Sequence, residues 1–217
     1  MTEPALFSAA IRDRSHAAHS GSEGAGFMTD LMAERGSLDD YAALVVQHWF
    51  VYAALEQAAD ALRTDAVVAP FLSPELERLS SIEADLDHLL GPAWRGTLTA
   101  LPTTRRYVDR IREVGATWPG GLVAHHYTRY LGDLSGGQFI GRILARQFGF
   151  AEDGVRFYRF EDIADARAFK EAYRALLDRA PWDADERERI IGEVLLAYRF
   201  NTELFDDLLA DRAARVA

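Results

Sequence analysis

Residues 125 to 138 read His125-His126-Tyr127-Thr128-Arg129-Tyr130-Leu131-Gly132-Asp133-Leu134-Ser135-Gly136-Gly137-Gln138. The stretch sits inside a helical pattern that runs from about residue 121 to 148, yet it carries glycines at 132, 136 and 137. Each costs about 1 kcal/mol against alanine in a helix interior, so a helix that keeps all three has a use for them. At about 100° per residue, Arg129, Gly132, Asp133 and Gly136 share one face. A strip without side chains therefore lies beside a charged pair, and something flat can approach that backbone closely.

Outward from this stretch, the apolar spacing is helical almost everywhere. Upstream, Leu6, Phe7, Ala10, Ile11 and Ala18 predict a helix over 4–19, followed by glycines at 21, 24 and 26 and a short helix over 26–33. Ser37 with Asp40 three residues later is a capping signature for a helix over about 38–62. Its residues Val45, Trp49, Tyr52, Leu55, Glu56 and Ala59 share a broad face, as in a helix largely buried in a bundle. Ser73-Pro74-Glu75 predicts another start, with proline at the first helical position, for a helix ending before Gly91-Pro92. A helix over 104–114 stops at Trp118-Pro119-Gly120-Gly121, which launches the glycine-bearing helix. Downstream, 150–160 reads as an aromatic loop, helix resumes at about 163, and a final helix covers about 183–209. No run of strand quality occurs, so the expectation is an all-α bundle of seven or eight helices forming one domain over residues 1–217.

Composition narrows the function classes. The 217 residues are 49% hydrophobic, enough for one full core. Without cysteine there is no disulfide framework, thiolate zinc site, thiolate-ligated haem or cysteine-held iron–sulfur cluster. The N-terminus lacks a basic segment followed by an apolar one, and no stretch has 18 consecutive apolar residues, so a cytosolic protein without a membrane anchor is expected. A net charge of -10 argues against generic nucleic-acid binding. Among 24 basic residues Lys170 is the one lysine.

Any metal must therefore be held by histidine, carboxylate or tyrosine. The histidines at 16, 19, 48, 88, 125 and 126 form neither paired Glu-x-x-His motifs nor His-Glu-x-x-His. Asp85-x-x-His88 is the nearest approach and stands alone. His125 and His126 point about 100° apart on a helix and do not share one ion. Single-histidine ligation, as in haem sites, remains. His19 has Glu23 four residues on, where a carboxylate can accept the other ring N–H if the helix continues that far. Spacing alone does not separate His19 from His16, and either also suits an ordinary histidine at a helix end.

The segment Leu122 to Gln138 closely resembles the signature of the haem oxygenases. Arg12 through His19 with Glu23 and Phe27-Met28 is similar to that family's proximal helix, and Tyr52-Ala53-Ala54-Leu55-Glu56 to its next helix. Phe169-Lys170-Glu171-Ala172-Tyr173-Arg174 and the run from Asn201 to Leu208 resemble its C-terminal helices. The overall spelling is nearer the soluble bacterial members than the membrane-tethered animal ones.

The resemblance implies haem held between a proximal helix and a kinked distal helix. His19 matches the iron ligand and Glu23 the carboxylate that accepts its second N–H. Gly132 and Gly136 match glycines whose backbone meets the distal haem face, and Asp133 the aspartate that organises distal water, with Arg129 and Tyr52 in the same network. Arg12, Tyr127, Lys170 and Arg174 match the groups that pair with the haem propionates. His125 matches a family histidine that is not the ligand, while His16 and His126 receive no role. The glycine-rich run Ser20 to Gly26 departs from the family pattern and puts the stiffness of the proximal helix in question.

The implied activity is cleavage of bound haem by O₂ and electrons to biliverdin, CO and iron, with the protein steering the oxygen. Electrons must come from outside, because the chain has no Gly-x-Gly-x-x-Gly signature and no cluster ligands, and a ferredoxin or flavoprotein reductase is the expected donor. A monomer is expected. The alternative is a haem carrier or sensor on the same bundle, which needs no proton-delivering Asp133. A thiamin-degrading enzyme on a similar bundle fits less well, since such enzymes use a cysteine nucleophile or a carboxylate pair.

Overall fold

Helix is the only regular element in the computed structural model, which describes residues 6–23 and 26–216 and the side chains of all of these except 22, 23 and 216. The order is α1 (Phe7–Glu23), α2 (Gly26–Met32), α3 (Leu38–Ala61), α4 (Leu79–Leu90), α5 (Pro102–Thr117), α6 (Pro119–His126), α7 (Gln138–Phe148), α8 (Ala166–Arg179) and α9 (Ala184–Val216). Two π-helical turns, Tyr127–Leu131 and Asp133–Gly137, join α6 to α7 into one rod. The expected all-α class therefore holds among the described residues, with the rod counted as one of eight helices.

α9 is the central strut and packs against α1, α2, α5 and α6, while α3 packs against α4 and α5. The core between them is aromatic-rich, with Phe27, Tyr41, Tyr52, Tyr107, Tyr130 and Phe157 fully buried. Burying such a ring contributes roughly 2–3 kcal/mol, so the bundle's stability rests on these contacts more than on helix propensity. The α3 start behaves as read from sequence: the Ser37 hydroxyl accepts from Asp40 N at 3.1 Å and Asp40 Oδ2 from Ser37 N at 2.9 Å.

Several boundaries differ, each for a tertiary reason. The Ser73-Pro74-Glu75 start yields only a 3₁₀ turn, Pro74–Leu76. The true helix begins at Leu79, where Glu56 of α3 accepts Arg78 N at 2.6 Å and Leu79 N at 2.9 Å, a cap supplied by a distant segment. α8 starts at Ala166 rather than 163 because Asp165 caps it, accepting from Arg167 N and Ala168 N at 2.9 Å each. α9 continues past its apolar stripe: Arg212 reaches Asp30 at 2.8 Å, Arg215 reaches Asp40 at 3.1 Å, and Asp211 pairs with Arg215 one turn on. The aromatic segment 150–160 contains a 3₁₀ turn, Arg156–Tyr158, held by Asp85 accepting Arg156 N and Phe157 N at 2.8 Å each. That use removes Asp85 from any metal reading, and the His88 ring lies edge-on to Phe150.

Candidate active site

The glycine-bearing rod owes its π turns to hydroxyls as much as to glycines. Thr128 Oγ1 donates to Ala124 O at 2.8 Å and Ser135 Oγ to Leu131 O at 2.6 Å. Each hydroxyl occupies a carbonyl four residues back and loosens the amide ladder there, which favours a wider turn. The extra residue per turn divides the face expected from a uniform 100° step. Tyr127, Leu131, Gly132 and Ser135 line a cleft, whereas Arg129 and Asp133 turn inward towards Tyr52 of α3. The expectation that Arg129, Gly132, Asp133 and Gly136 share one face is corrected on this ground, since Gly132 alone of the four lines the cleft. The kink expected of the distal helix takes the form of these two wide turns.

Across the cleft stands α1, presenting Arg12, Ser15, His16 and His19, with Arg174 of α8 and Tyr198 of α9 completing the walls. Both rival histidines thus face the same space. They differ in setting: His16 is exposed, while His19 is half-buried with its ring edge-on to Tyr198 at 5.7 Å. α1 does continue to Glu23, so the condition for a His19–Glu23 pairing along the helix is met, although the Glu23 side chain lies outside the described residues. A Cβ added at Gly132 would meet nothing within 4 Å, which marks this glycine as an opening onto the cleft rather than a packing necessity. Gly136 belongs to the second π turn and is half-buried.

Behind the glycine wall lies a buried polar chain. Tyr52 donates its phenol hydrogen to Asp133 Oδ2, and Arg129 Nε donates to the same phenol oxygen at 3.2 Å. Arg129 Nη1 in turn donates to Asn201 Oδ1 of α9 at 2.9 Å. Burial pushes the Asp133 carboxyl above its ordinary range, against the opposing pull of Arg129 and the Tyr52 hydrogen bond. Burial likewise pushes the Tyr52 phenol well up, so it remains a hydrogen-bond donor at neutral pH. A carboxyl with a raised pKa, fixed by a phenol and an arginine just inside a cleft wall, is suited to holding and releasing a proton.

The rim is cationic. Lys170 Nζ donates to Ser135 Oγ at 3.1 Å, and burial, then the neighbouring Arg174, draw its pKa down. Burial raises the Tyr127 phenol while Arg174 and Arg12 pull the other way, which places both guanidinium groups close to it. Arg12 itself is exposed and paired with Asp13 at 2.9 Å. Arg12, Tyr127, Lys170 and Arg174 are therefore gathered at one edge.

The sequence alone assigns no role to Asn201 or Tyr198, and the structure uses both. One turn apart on α9, they serve the two walls of the cleft: Tyr198 against His19 and Asn201 against Arg129. An asparagine inside the apolar stripe of a helix was the available signal. His125 is fully buried, its Nε2 2.8 Å from Glu193 Oε1, and the His126 Nδ1 lies 2.9 Å from the Tyr173 hydroxyl. Neither lines the cleft, and no cluster of three His, Cys, Asp or Glu side chains suited to a metal occurs among the described residues.

Comparison with known proteins adds the chemical context. The heme oxygenase family profile matches residues 5–207. Heme oxygenase 1 of Synechocystis sp. is 37% identical over 198 residues, covering 91% of this chain and 82% of that protein. Its crystal structure in complex with heme superposes with a TM-score of 0.90 at 34% identity, covering 98% of each chain. Heme oxygenase-2 from the same organism, in complex with heme and NO, gives a TM-score of 0.92 at 30% identity, covering 98% of this chain and 89% of that one.

Proposed function

Because the chain belongs to the haem oxygenase family, we propose that haem lies in the cleft between α1 and the π turns, ligated by His19, and is cleaved there to biliverdin, CO and ferrous iron. The observation that carries this placement is that Gly132 opens, without a side chain, into the same cleft that His19 faces from the opposite helix. A planar group can lie flat on such a wall. The donor set suits haem as well: a single imidazole rather than a thiolate, and a cationic edge of Arg12, Lys170 and Arg174 with the Tyr127 phenol for two carboxylates.

Haem, when bound, supplies the iron at which O₂ and electrons meet and is itself the substrate. The residues of this chain do the rest. His19 would anchor the proximal side through its ring nitrogen. Gly132 would leave the distal wall bare at its own position, and Gly136 in the second π turn would do the same for the same rod, so that a flat group could approach the backbone there. Asp133 holds water beside that wall and passes a proton from its carboxyl; Tyr52 and Arg129, braced by Asn201, fix that carboxyl in place. Arg12, Tyr127, Lys170 and Arg174 would hold the two propionates at the cationic edge and so would fix the orientation of the ring.

Electrons come from a ferredoxin or flavoprotein reductase meeting the cationic edge. The whole of residues 1–217 acts as one domain, as a monomer in the cytoplasm. No helix among the described residues is long and apolar enough to cross a membrane.

The test is direct. Haemin is added without oxygen, the absorption spectrum is recorded, and O₂ is then supplied with a reductant. Decay of the Soret band with the rise of biliverdin absorption is the expected result. A stable oxygen complex with an intact Soret band and no bilin would make the chain a carrier.

A further inference from the structure

Three buried phenols between the cleft and the surface share a feature that ordinary packing does not require. Tyr52 donates to the Asp133 carboxylate and Tyr130 to Glu56 Oε1 at 3.3 Å, and the Tyr173 hydroxyl lies 2.9 Å from His126 Nδ1. Buried phenols need a partner in any core, but a backbone carbonyl suffices, as for Tyr41, which donates to Gly154 O. Here each partner is a group that can take the phenol's proton. Burial keeps His126 neutral, its pKa pushed down to about 3, so an acceptor nitrogen is present in the Nε2–H tautomer.

The rings also form a path. Tyr52 is 5.6 Å from Tyr130, Tyr130 is 4.4 Å from His126, and His126 is 5.8 Å from Tyr173, to which it lies nearly parallel. A second approach starts at Tyr127, on the cleft wall itself, whose ring is 6.4 Å from Tyr173. From Tyr173 the path continues to Phe71 at 5.1 Å and on to Trp182, stacked on Phe71 at 6.0 Å. Trp182 is half-buried and marks the outer end. Tyr173 is thus the node where both approaches from the cleft meet.

We propose that Tyr173, linked to the cleft by Tyr127 and by the Tyr52–Tyr130–His126 chain, relays single electrons from Trp182 to the haem cleft, protecting the enzyme when hydrogen peroxide reacts there. A buried phenol that loses an electron must lose its proton at the same moment, because an unpaired cation in such a site is costly. In each pass Tyr173 gives one electron towards the cleft and its phenolic proton to His126 Nδ1. Trp182 then gives one electron to Tyr173, the proton returns from His126, and the oxidised indole releases its N–H proton to solvent. Reducing one peroxide to two waters takes two electrons and two protons, hence two passes. A one-electron reductant in solution, such as ascorbate, restores Trp182 after each pass. Without one, the indolyl radical combines with O₂ and Trp182 keeps a permanent oxygen mark.

This relay rests on haem lying in the cleft, and the experiment separates the two. The haem-loaded full chain is treated with hydrogen peroxide without reductant, freeze-quenched for electron paramagnetic resonance, and mapped for oxidised residues by mass spectrometry. The expected result is a protein radical and oxygen addition at Trp182 that requires haem. In Tyr173→Phe, which keeps the ring but has no proton to give, Trp182 oxidation falls severalfold while marks on Tyr127 and loss of the Soret band increase. Trp182→Phe, a second variant at the path's outer end, is expected to leave a longer-lived tyrosyl signal. Equal Trp182 oxidation in wild type and Tyr173→Phe, or in haem-free protein, overturns the relay, as does a Trp182→Phe radical of unchanged lifetime. If the placement of haem were wrong instead, His19→Ala would leave the ferrous histidine spectrum intact, whereas failure of the relay alone leaves that spectrum dependent on His19.

Discussion

Asp133 is the residue on which the proposed chemistry turns, and its setting explains why a carboxylate there differs from one on the surface. Burial raises its pKa while Arg129 and the Tyr52 phenol hold it back from rising further. Activity that needs the acid form should fall as pH rises through that raised value. Tyr52→Phe removes an influence that lowers the pKa, so the descending limb of the pH–rate profile should move to higher pH; a shift to lower pH would contradict the arrangement. Asp133→Ala should lower the rate of biliverdin formation by about 100-fold or more, the range for a positioned general acid or base, while the histidine-type spectrum of bound haem persists. A normal bilin yield would remove the proton-delivery role. At this scale sequence spacing reached the types of residue but not their arrangement. An asparagine in the apolar stripe of α9 signals a buried polar contact, but that its partner is Arg129, 72 positions earlier, depends on how α9 crosses the rod.

Among the elements, the α6–α7 rod carries glycines of two kinds that sequence alone does not tell apart. Gly132 faces open space, whereas a Cβ at Gly141 would stand 2.7 Å from the Cβ of Tyr158. Gly132→Ala should therefore fold with unchanged or higher melting temperature, alanine being favoured by about 1 kcal/mol in a helix, yet lose biliverdin formation. Gly141→Ala should instead cost roughly 1–3 kcal/mol in chemical denaturation through overpacking. Equal stability losses for the two would mean that Gly132 is structural. The π turns were partly legible, since Thr128 and Ser135 are hydroxyl residues in a helical run, but a uniform 100° step hid the split between cleft-facing and inward-facing positions. The start of α4 was not legible at all. Its cap is Glu56, a residue of another helix, and Glu56→Ala should cost about 1–2 kcal/mol by freeing the amides of Arg78 and Leu79.

For the molecule as a whole, α9 joins what α1 and the rod supply separately, and its own attachment gives a pH signature. Burial would raise the pKa of Glu193, but Arg110, bonded at 2.8 and 2.7 Å, and His125 outweigh it and hold the carboxyl at about 2 against an ordinary 4.5. A depressed pKa contributes stability that is complete above 4.5 and is lost as pH falls through 2. At about 1.4 kcal/mol per unit, and discounted because solvent screens the partly open Arg110 side of the pair, the contribution is on the order of 1–2 kcal/mol. Glu193→Gln should flatten the acid limb of an unfolding curve in that window, and an unchanged limb would mean the ion pair carries no net stability. The all-α class and the single-histidine logic could be read in sequence because helical periodicity and the absence of cysteine are local or compositional facts. The cleft could not, because it exists only once α9 sets α1 opposite the rod. That opposition is tested most directly by the absorption spectrum of ferrous haem in His19→Ala and His16→Ala. The expected result is loss of the histidine-type spectrum in His19→Ala alone, with His16→Ala indistinguishable from wild type. Loss in His16→Ala with retention in His19→Ala would contradict the assignment.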